Sequence, residues 1–433
     1  MSWARALPAA AAMVAALEMA AARPVLAQES DTLTVAEAVT MARQANPMLR
    51  AARLRADAAS ERVSQVGALP DPQFTFGLLN RPVGDFGRTD QQMTMNAFEL
   101  KQRFPWPGKL GFSKERAAHL FEAERLEADE SEAALVSRVK SVYYQLAYID
   151  RALDIMRDTR DLLRQFEEVS SALYSVGRGL QQDVLQAQVA VAGMTEDITV
   201  MEQNRLAMAA RLNSLLARPA IVVVAGLQLT AAVGEIPPVD SLMALAAERR
   251  PALRAARERA LAAEAGYRAA RRSVYPDFTV RLGYGQRPEF VDFMTIALGI
   301  NIPLWAGSKQ LAQRREMQAM QTMEEARELD LYNETFARIA EQRAEAERSR
   351  SLGELYVTSV LPQARAAVES ALSAYRVGQV DFSTLVQNEM TVNRYEIDGV
   401  RLTADYQRAL AELEALVGET PGPVAEGDMG GER

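Results

Sequence analysis

The segment Tyr174-Ser175-Val176-Gly177, with Asp183-Val184-Leu185-Gln186 shortly after it, decides the fold because the chain contains a second copy. That copy is Tyr375-Arg376-Val377-Gly378, with Thr384-Leu385-Val386-Gln387 after it, about 200 residues further along. Two shorter stretches repeat at nearly the same spacing, since residues 47–53 resemble 251–257 and residues 72–75 resemble 276–279. Matches that recur in one order at one spacing indicate a duplicated unit. The sequence therefore predicts two structural halves, residues 28–232 and 233–417, related by pseudo-symmetry.

Both ends of the chain are expected to lie outside these halves. Residues 1–27 have the pattern of a secretory signal peptide, with Arg5 ahead of an apolar run and Val25-Leu26-Ala27 as a small-residue cleavage pattern. A cytoplasmic alanine-rich helix is the alternative for this segment. The tail, residues 418–433, is rich in Gly, Pro and Glu and is expected to be disordered.

Each half is predicted to contain a pair of long helices. No proline occurs between Pro107 and Pro219, and strong helix formers dominate there. A helix over residues 110–174 would be on the order of 95 Å long, and a turn at Gly177 would lead into a return helix over 181–216. For the second half, the sequence predicts helices over 308–375 and 381–417 with a turn at Gly378. Asp381 or Ser383 would cap the return helix, and Pro362 should bend the helix before it.

Methionines recur at helical spacing in two places. Met194, Met201 and Met208 are seven residues apart, and Val184, Val191 and Ile198 follow an adjacent track. This spacing is typical of helices that pack as in a coiled coil, so we expect these side chains to lie in the core. Met317, Met320 and Met323 form a similar stripe with the same expectation. A methionine ladder that binds copper is the alternative.

Two regions alternate between apolar and small or polar residues, which is the pattern of a β-strand with two different faces. The apolar positions are Phe74, Phe76 and Leu78 in the first half, and Phe278, Val280, Leu282, Tyr284, Met294, Ile296, Leu298, Ile300 and Ile302 in the second. Segments of about ten alternating residues match the strands of a transmembrane barrel, with the apolar face toward lipid. Four strands cannot close such a barrel, so several copies would have to contribute. A soluble hairpin that caps a helical bundle is the alternative.

A tryptophan beside proline and glycine follows each hairpin. The segments are Phe104-Pro105-Trp106-Pro107-Gly108-Lys109 and Ile302-Pro303-Leu304-Trp305-Ala306-Gly307-Ser308-Lys309. Proline ends a strand because it has no N–H to donate, and tryptophan prefers the headgroup layer of a membrane. Trp106 and Trp305 are therefore predicted to mark the same membrane boundary in both halves.

These features together resemble the TolC family of outer-membrane efflux proteins over residues 33–417. The resemblance rests on the two Tyr-x-Val-Gly turns, the Pro-Trp-Pro-Gly-Lys segment, and the order of helix, hairpin and long helix pair, given twice. It implies a mainly α-helical protein with a transmembrane β portion, in which a trimeric twelve-stranded β-barrel continues into a periplasmic α-helical tunnel. It also implies a location in the outer membrane of a Gram-negative bacterium, in contact with outer-membrane lipid.

The resemblance further implies a passive conduit in a tripartite efflux system. The partners would be two further copies of the chain, a periplasmic membrane-fusion (adaptor) protein and an inner-membrane pump of the resistance-nodulation-division (RND) class. The Phe-Pro-Trp-Pro-Gly-Lys form resembles the subset that works with heavy-metal pumps, which implies heavy-metal cations as the cargo. Family adaptors dock at the helical tips, which correspond here to Tyr174, Val176, Gly177, Tyr375, Val377 and Gly378.

The predicted periplasmic aperture departs from the family pattern. Relatives often constrict this entrance with paired aspartates, whereas the matching positions here are Thr384 and Gln387. Asp183 and Asp381 are the acidic candidates for an aperture ring. The alternative is that both carboxylates only complement the positive end of a helix dipole.

The residues that enzymes need are scarce. The chain has no cysteine, which excludes disulfides and thiolate metal sites, and its one histidine, His119, is expected on a solvated helical surface. The formal net charge of −8 disfavours nucleic acid as a partner. We therefore expect no enzyme activity, no cofactor and no resident metal site. The open alternatives are a drug or protein exporter of the same family, a periplasmic coiled-coil adaptor or scaffold without a pore, and a periplasmic metal-binding protein.

Overall fold

The computed structural model describes residues 32–229 and 234–418, so the predicted signal peptide and residues 419–433 lie outside the described part. The first half contains α1 (Val35–Ala45), α2 (Pro47–Gly67), β1 (Gln73–Leu79), β2 (Met95–Phe104), α3 (Lys109–Ser175) and α4 (Gln181–Leu215). The second half contains α5 (Val239–Arg249), α6 (Pro251–Arg272), β3 (Asp277–Gln286), β4 (Phe293–Asn301), α7 (Gln310–Leu355), a π-helical segment (Tyr356–Val360), α8 (Leu361–Arg376) and α9 (Phe382–Val417). The same order of elements thus occurs twice.

Each half begins with two short helices that share a proline junction. Thr34 caps α1 in a capping box, in which its hydroxyl accepts from the Glu37 N–H and the Glu37 carboxylate accepts from the Thr34 N–H. Asn46 caps α2, and its side-chain amide also donates to the Leu215 carbonyl at 2.9 Å. This bond fixes the start of the first half against the end of its return helix.

The four strands form one antiparallel sheet in the order β1-β2-β3-β4. Each half contributes one hairpin, and β2 and β3 join the hairpins, with Phe98 opposite Tyr284 and Phe104 opposite Phe278. Strand β2 starts at Met95, directly after a turn at residues 91–93. The outer edges of β1 and β4 have no partner strand among the described residues.

The long helices lie close to the predicted bounds. Helix α3 runs without interruption for 67 residues, whereas the equivalent stretch of the second half is divided. There the π-helical segment directly precedes Pro362, and the Leu361 N–H donates to the Tyr356 carbonyl, one residue further back than in an α-helix. Since proline cannot donate an N–H, the α-helical pattern is broken where the sequence predicted a bend.

In the described part of the chain, the core consists of three apolar clusters along the helices. One joins α1, α3 and α4, one joins α5, α7 and α9, and the third packs α3, α4, α8 and α9 together toward the turns. Met194 is buried in the third cluster and Met201 and Met208 pack against it, which confirms the predicted core stripe. The second stripe is less buried, since Met320 is 38% exposed. Within the described residues, no helix combines the length and the apolar character that crossing a membrane requires.

Candidate functional site

The two helical turns end the long helices in the same way. Gly177 and Gly378 have φ angles of 70° and 74°, the left-handed region that favours glycine. The N–H of Gly177 donates to the Tyr174 carbonyl and that of Gly378 to the Tyr375 carbonyl, each at 3.0 Å. Both turns therefore reverse the chain with one shared geometry, and they lie at the end of the helices remote from the sheet.

The side chains of the two turns are not equivalent. Tyr174, Val176 and Val377 are 48%, 67% and 65% exposed, so they present an apolar surface at the tips. Tyr375 is 7% exposed and packs on the Phe382 ring, with 5.3 Å between ring centroids. Of the residues predicted to dock an adaptor, Tyr375 is thus withdrawn from the surface by its packing.

Tyr375 forms a polar contact between the two halves. Its hydroxyl donates to the Asp183 carboxylate on α4 at 3.2 Å. Burial, together with the negative charge of Asp183 and this hydrogen bond, raises the pKa of Tyr375 to about 12. The hydroxyl therefore stays protonated at physiological pH and holds the second helical tip to the first.

The other aperture candidates lie on the surface of α9. Thr384 and Gln387 are exposed. Asp381 occupies the N-cap position, as predicted, but its side chain makes no capping hydrogen bond, and only its carbonyl accepts from the Thr384 N–H at 3.1 Å. The structure therefore joins Asp183 to Tyr375 and leaves Asp381 exposed at the start of the return helix.

An apolar groove lies between the return helices α4 and α9 close to the tips. It has a volume of about 690 Å³ and is lined by Gln181, Gln182, Leu185, Gln186, Val189, Ala190, Ser383, Val386 and Gln387. Leu185 and Val189 are 53% and 72% exposed. This surface was not predicted, because the periodic track of Val184, Val191 and Ile198 marks the inward side of the helix. Leu185 and Val189, which are four positions apart and therefore on one face of the helix, were the available signal.

A carboxylate is buried further along α9. Glu389 is 5% exposed, and no hydrogen bond or ion pair to its carboxylate occurs within the described chain. Burial, with a smaller contribution from the charge of Glu396, raises the pKa of Glu389 to about 7. This residue was not predicted, since nothing in the local sequence distinguishes it from the many solvated acids of these helices.

In the first half, ring stacking, a hydrogen bond and an ion pair hold the joint between sheet and helix. The Trp106 ring stacks on Tyr275 and Phe278, with centroid distances of 5.1 and 5.6 Å. Its backbone N–H donates to Asp277 at 3.0 Å, and the Lys109 ammonium pairs with the same carboxylate at 2.8 Å. Trp305, the matching residue of the second half, is 77% exposed. The two predicted boundary residues thus have different surroundings within one chain.

His119 is half-buried, whereas the sequence predicted a solvated position. Its Nδ1 lies 2.7 Å from the Glu258 carboxylate, because α6 packs along α3 at this point. No cluster of histidine and acidic side chains that could hold a metal ion occurs in residues 32–229 and 234–418.

This arrangement, a sheet with one apolar face joined to long helices that reverse at glycine turns, is that of outer-membrane efflux channels. A sequence model of the family described as outer membrane efflux protein matches residues 38–218 and 242–419. The chain therefore belongs to the outer membrane efflux protein family, whose members are channels and not enzymes. A search of curated proteins finds no significant match.

Several solved outer-membrane channels share the fold. CusC, described for its conformational changes on folding and transmembrane channel formation, is 15% identical, with 92% of this chain and 96% of that chain covered and a TM-score of 0.77. VceC of Vibrio cholerae is 17% identical, with 90% and 97% covered and a TM-score of 0.75. The open-state MtrE channel of Neisseria gonorrhoeae is 16% identical, with 89% of each chain covered and a TM-score of 0.74. Identities this low establish a shared fold only.

Proposed function

We propose that this chain is the outer-membrane channel of a tripartite RND-type efflux system and carries heavy-metal ions passively across the periplasm. Three copies would form a twelve-stranded barrel in the outer membrane, and their helices would form a tunnel below it. The single observation that carries the proposal is the four-stranded sheet, which has a largely apolar face and, among the described residues, no partner strand at either edge.

The exposure of the sheet supports a lipid environment for that face. Met294, Ile296 and Leu298 are 75%, 67% and 82% exposed, and Phe74 on the opposite edge strand is 68% exposed. A soluble protein rarely leaves so large a contiguous apolar patch in water. The free edges of β1 and β4 would pair with neighbouring copies, since a membrane barrel must satisfy every backbone group. A pore-free scaffold would gain nothing from this arrangement.

The helical tips support docking of a periplasmic adaptor. Val176 and Val377 project from the two turns, and the groove lined by Leu185 and Val189 lies directly beside them. An adaptor with apolar helical tips would fit this surface, as helix-in-groove recognition requires. The inner-membrane pump would then supply both the energy and the selection of cargo.

Heavy metal as cargo rests on the Phe104–Lys109 segment, which resembles the metal-exporting subset of the family. A drug or protein exporter remains the alternative within the family. Loss of the chain should raise metal accumulation in cells exposed to a heavy metal, while sensitivity to drugs stays unchanged. The reverse pattern would contradict the metal assignment.

The first experiment tests the conduit itself. The purified mature protein should have the mass of a trimer plus bound detergent, and it should give discrete single-channel openings in a planar bilayer. A water-soluble monomer that does not insert would overturn the barrel and favour the scaffold.

A further inference from the structure

The second face of the sheet carries charged residues close to the end where the strands join the helices. Lys101 and Arg103 lie on β2 and Arg281 lies on β3, all on the face opposite the apolar one. Lys101 is directly opposite Arg281 in the register of the two strands. Two like charges in that position repel each other and cost stability, so ordinary strand packing does not explain the pair.

Only part of this charge is compensated. The Arg281 Nε lies 3.1 Å from the Glu99 carboxylate. In the part of the chain that the structure describes, the side chains of Lys101 and Arg103 have no carboxylate within 4 Å and no hydrogen bond. Asp277, the other acid on this face, is paired with Lys109 at 2.8 Å and also interacts electrostatically with Arg103. Strands β2 and β3 thus carry three cations and two carboxylates on this face, and Lys109 adds a fourth cation beside Asp277.

The edge strands add no charge to this face. Their residues on the same side are Gln73, Thr75, Gly77 and Leu79 on β1 and Phe293, Thr295, Ala297, Gly299 and Asn301 on β4. The charge is therefore confined to the β2–β3 seam and recurs once in each copy. The opposite face carries the apolar side chains that a barrel strand turns toward lipid, so the charged face belongs toward the lumen.

We propose that Lys101, Arg103 and Arg281 form, in three copies, a ring of cations at the helix-proximal end of the barrel lumen. Rings of Arg and Lys make a pore favour anions, because they raise the local concentration of the opposite charge. The cargo would cross this level as an anion, and a metal would leave as an anionic complex and not as the bare cation. The inference rests on the proposed channel function and specifies its cargo.

Reversal potentials test the ring. The purified full-length mature protein would be placed in a bilayer of neutral lipid under a tenfold KCl gradient. The wild type is expected to prefer Cl⁻ to K⁺. The double variant Lys101→Gln with Arg103→Gln should lower the Cl⁻/K⁺ permeability ratio by about threefold or more. The matched variant Lys101→Arg with Arg103→Lys keeps both charges and should retain the wild-type ratio.

The other outcomes would contradict either the anion ring or the proposed channel function. A wild type that prefers K⁺, or a ratio unaffected by loss of both charges in a variant with trimer mass and discrete openings, would overturn the anion ring alone. The absence of channels in the wild type would overturn the proposed function and the ring with it. Citrate provides a second readout, since this trivalent anion should block the wild type more strongly than the variant Lys101→Gln with Arg103→Gln.

Discussion

Tyr174 and Tyr375 occupy the same place in the two repeats and have opposite roles. Tyr375 is buried and donates to Asp183, whereas Tyr174 is half-exposed and its hydroxyl has no hydrogen-bond partner among the described residues. The residue that matches Asp183 in the second half is Thr384, which is exposed and cannot accept as a carboxylate does. The tyrosine of the second turn therefore binds the first half, whereas the tyrosine of the first turn makes no equivalent hydrogen bond among the described residues.

Tyr375→Phe should loosen the helical tips. The change removes a hydrogen bond to a charged acceptor and leaves Asp183 half-buried without it, which costs about 1–2 kcal/mol. If opening separates the return helices, the variant should show a higher open probability in single-channel records. Tyr174→Phe is the matched control and should behave as wild type. An equal effect of both variants would mean that the Tyr375 contact does not hold the tips closed.

Glu389 makes stability depend on pH. Its folded pKa of about 7 lies above the ordinary value of 4.5, so the folded state binds this proton more tightly than the unfolded chain. The stabilising effect is complete below about pH 4.5 and is lost as the pH rises through about 7.

Glu389→Gln should therefore stabilise the protein on the order of 3 kcal/mol at pH 8, and much less at pH 5. Thermal unfolding in detergent at both pH values measures the difference. Glu196→Gln, at an exposed position of α4, should show no such dependence on pH. A gain for Glu389→Gln that is the same at pH 5 and pH 8 would contradict a buried carboxylate with a raised pKa.

At the scale of elements, the turns and the interrupted helix show how glycine and proline shape otherwise uniform helices. The stretch from Gln310 to Arg376 contains as many residues as α3, yet it accommodates Pro362 through the π-helical segment. Tyr356 in this segment contacts Tyr395 of α9 edge to face, with 5.6 Å between centroids. The break is therefore held in place by packing against the return helix.

Gly378→Ala should destabilise the second turn. A Cβ at this position would meet no atom within 4 Å, so the cost arises from the φ of 74° alone and is about 1–2 kcal/mol. Gly193→Ala is the control with the opposite sign. Gly193 lies inside α4, and a Cβ there also meets no atom within 4 Å, so alanine should stabilise the helix by about 1 kcal/mol. Thermal unfolding of both variants measures the two effects. A loss of stability for Gly193→Ala would contradict the expected gain in helix propensity.

At the scale of the whole molecule, pseudo-symmetry predicts how neighbouring copies pair. Strand β2 pairs with β3 inside one chain, so β4 should pair with β1 of the next copy in the equivalent register. Phe104 opposite Phe278 then corresponds to Ile302 opposite Phe74 of the neighbour. The same register places Asn301 opposite Thr75, both on the lumen face. Trp305 would also acquire an aromatic neighbour equivalent to the one that covers Trp106.

Cysteine crosslinking tests this register directly, because the chain has no native cysteine. The double variant Thr75→Cys with Asn301→Cys should form disulfides between copies and give a covalently closed trimer on a non-reducing gel. Thr75→Cys with Thr295→Cys is the control. It places the thiols six residues apart along the strands, about 20 Å, and should not crosslink. Crosslinking of the control alone would show that the copies pair in another register.

The sequence by itself determined the duplication, the positions of the long helices and strands, and the family. These follow from local signals: period-two alternation, helix-forming composition, and glycine and proline at the turns. The prediction was wrong for Met320 and His119, whose surroundings depend on which face of one helix meets another. Glu389 and the Lys101–Arg281 pair could not be found from periodicity, since neither differs locally from an ordinary charged residue.

Only the tertiary structure decided which member of each repeated pair became buried, paired or exposed. Tyr375 and Asp183 are 192 positions apart, and their contact exists because α4 and α8 meet near the tips. Lys101 and Arg281 face each other because β2 and β3 join the two halves in one register. The physical reason is the same in both cases. Duplication gives each half the same local pattern, but packing places the halves in different surroundings.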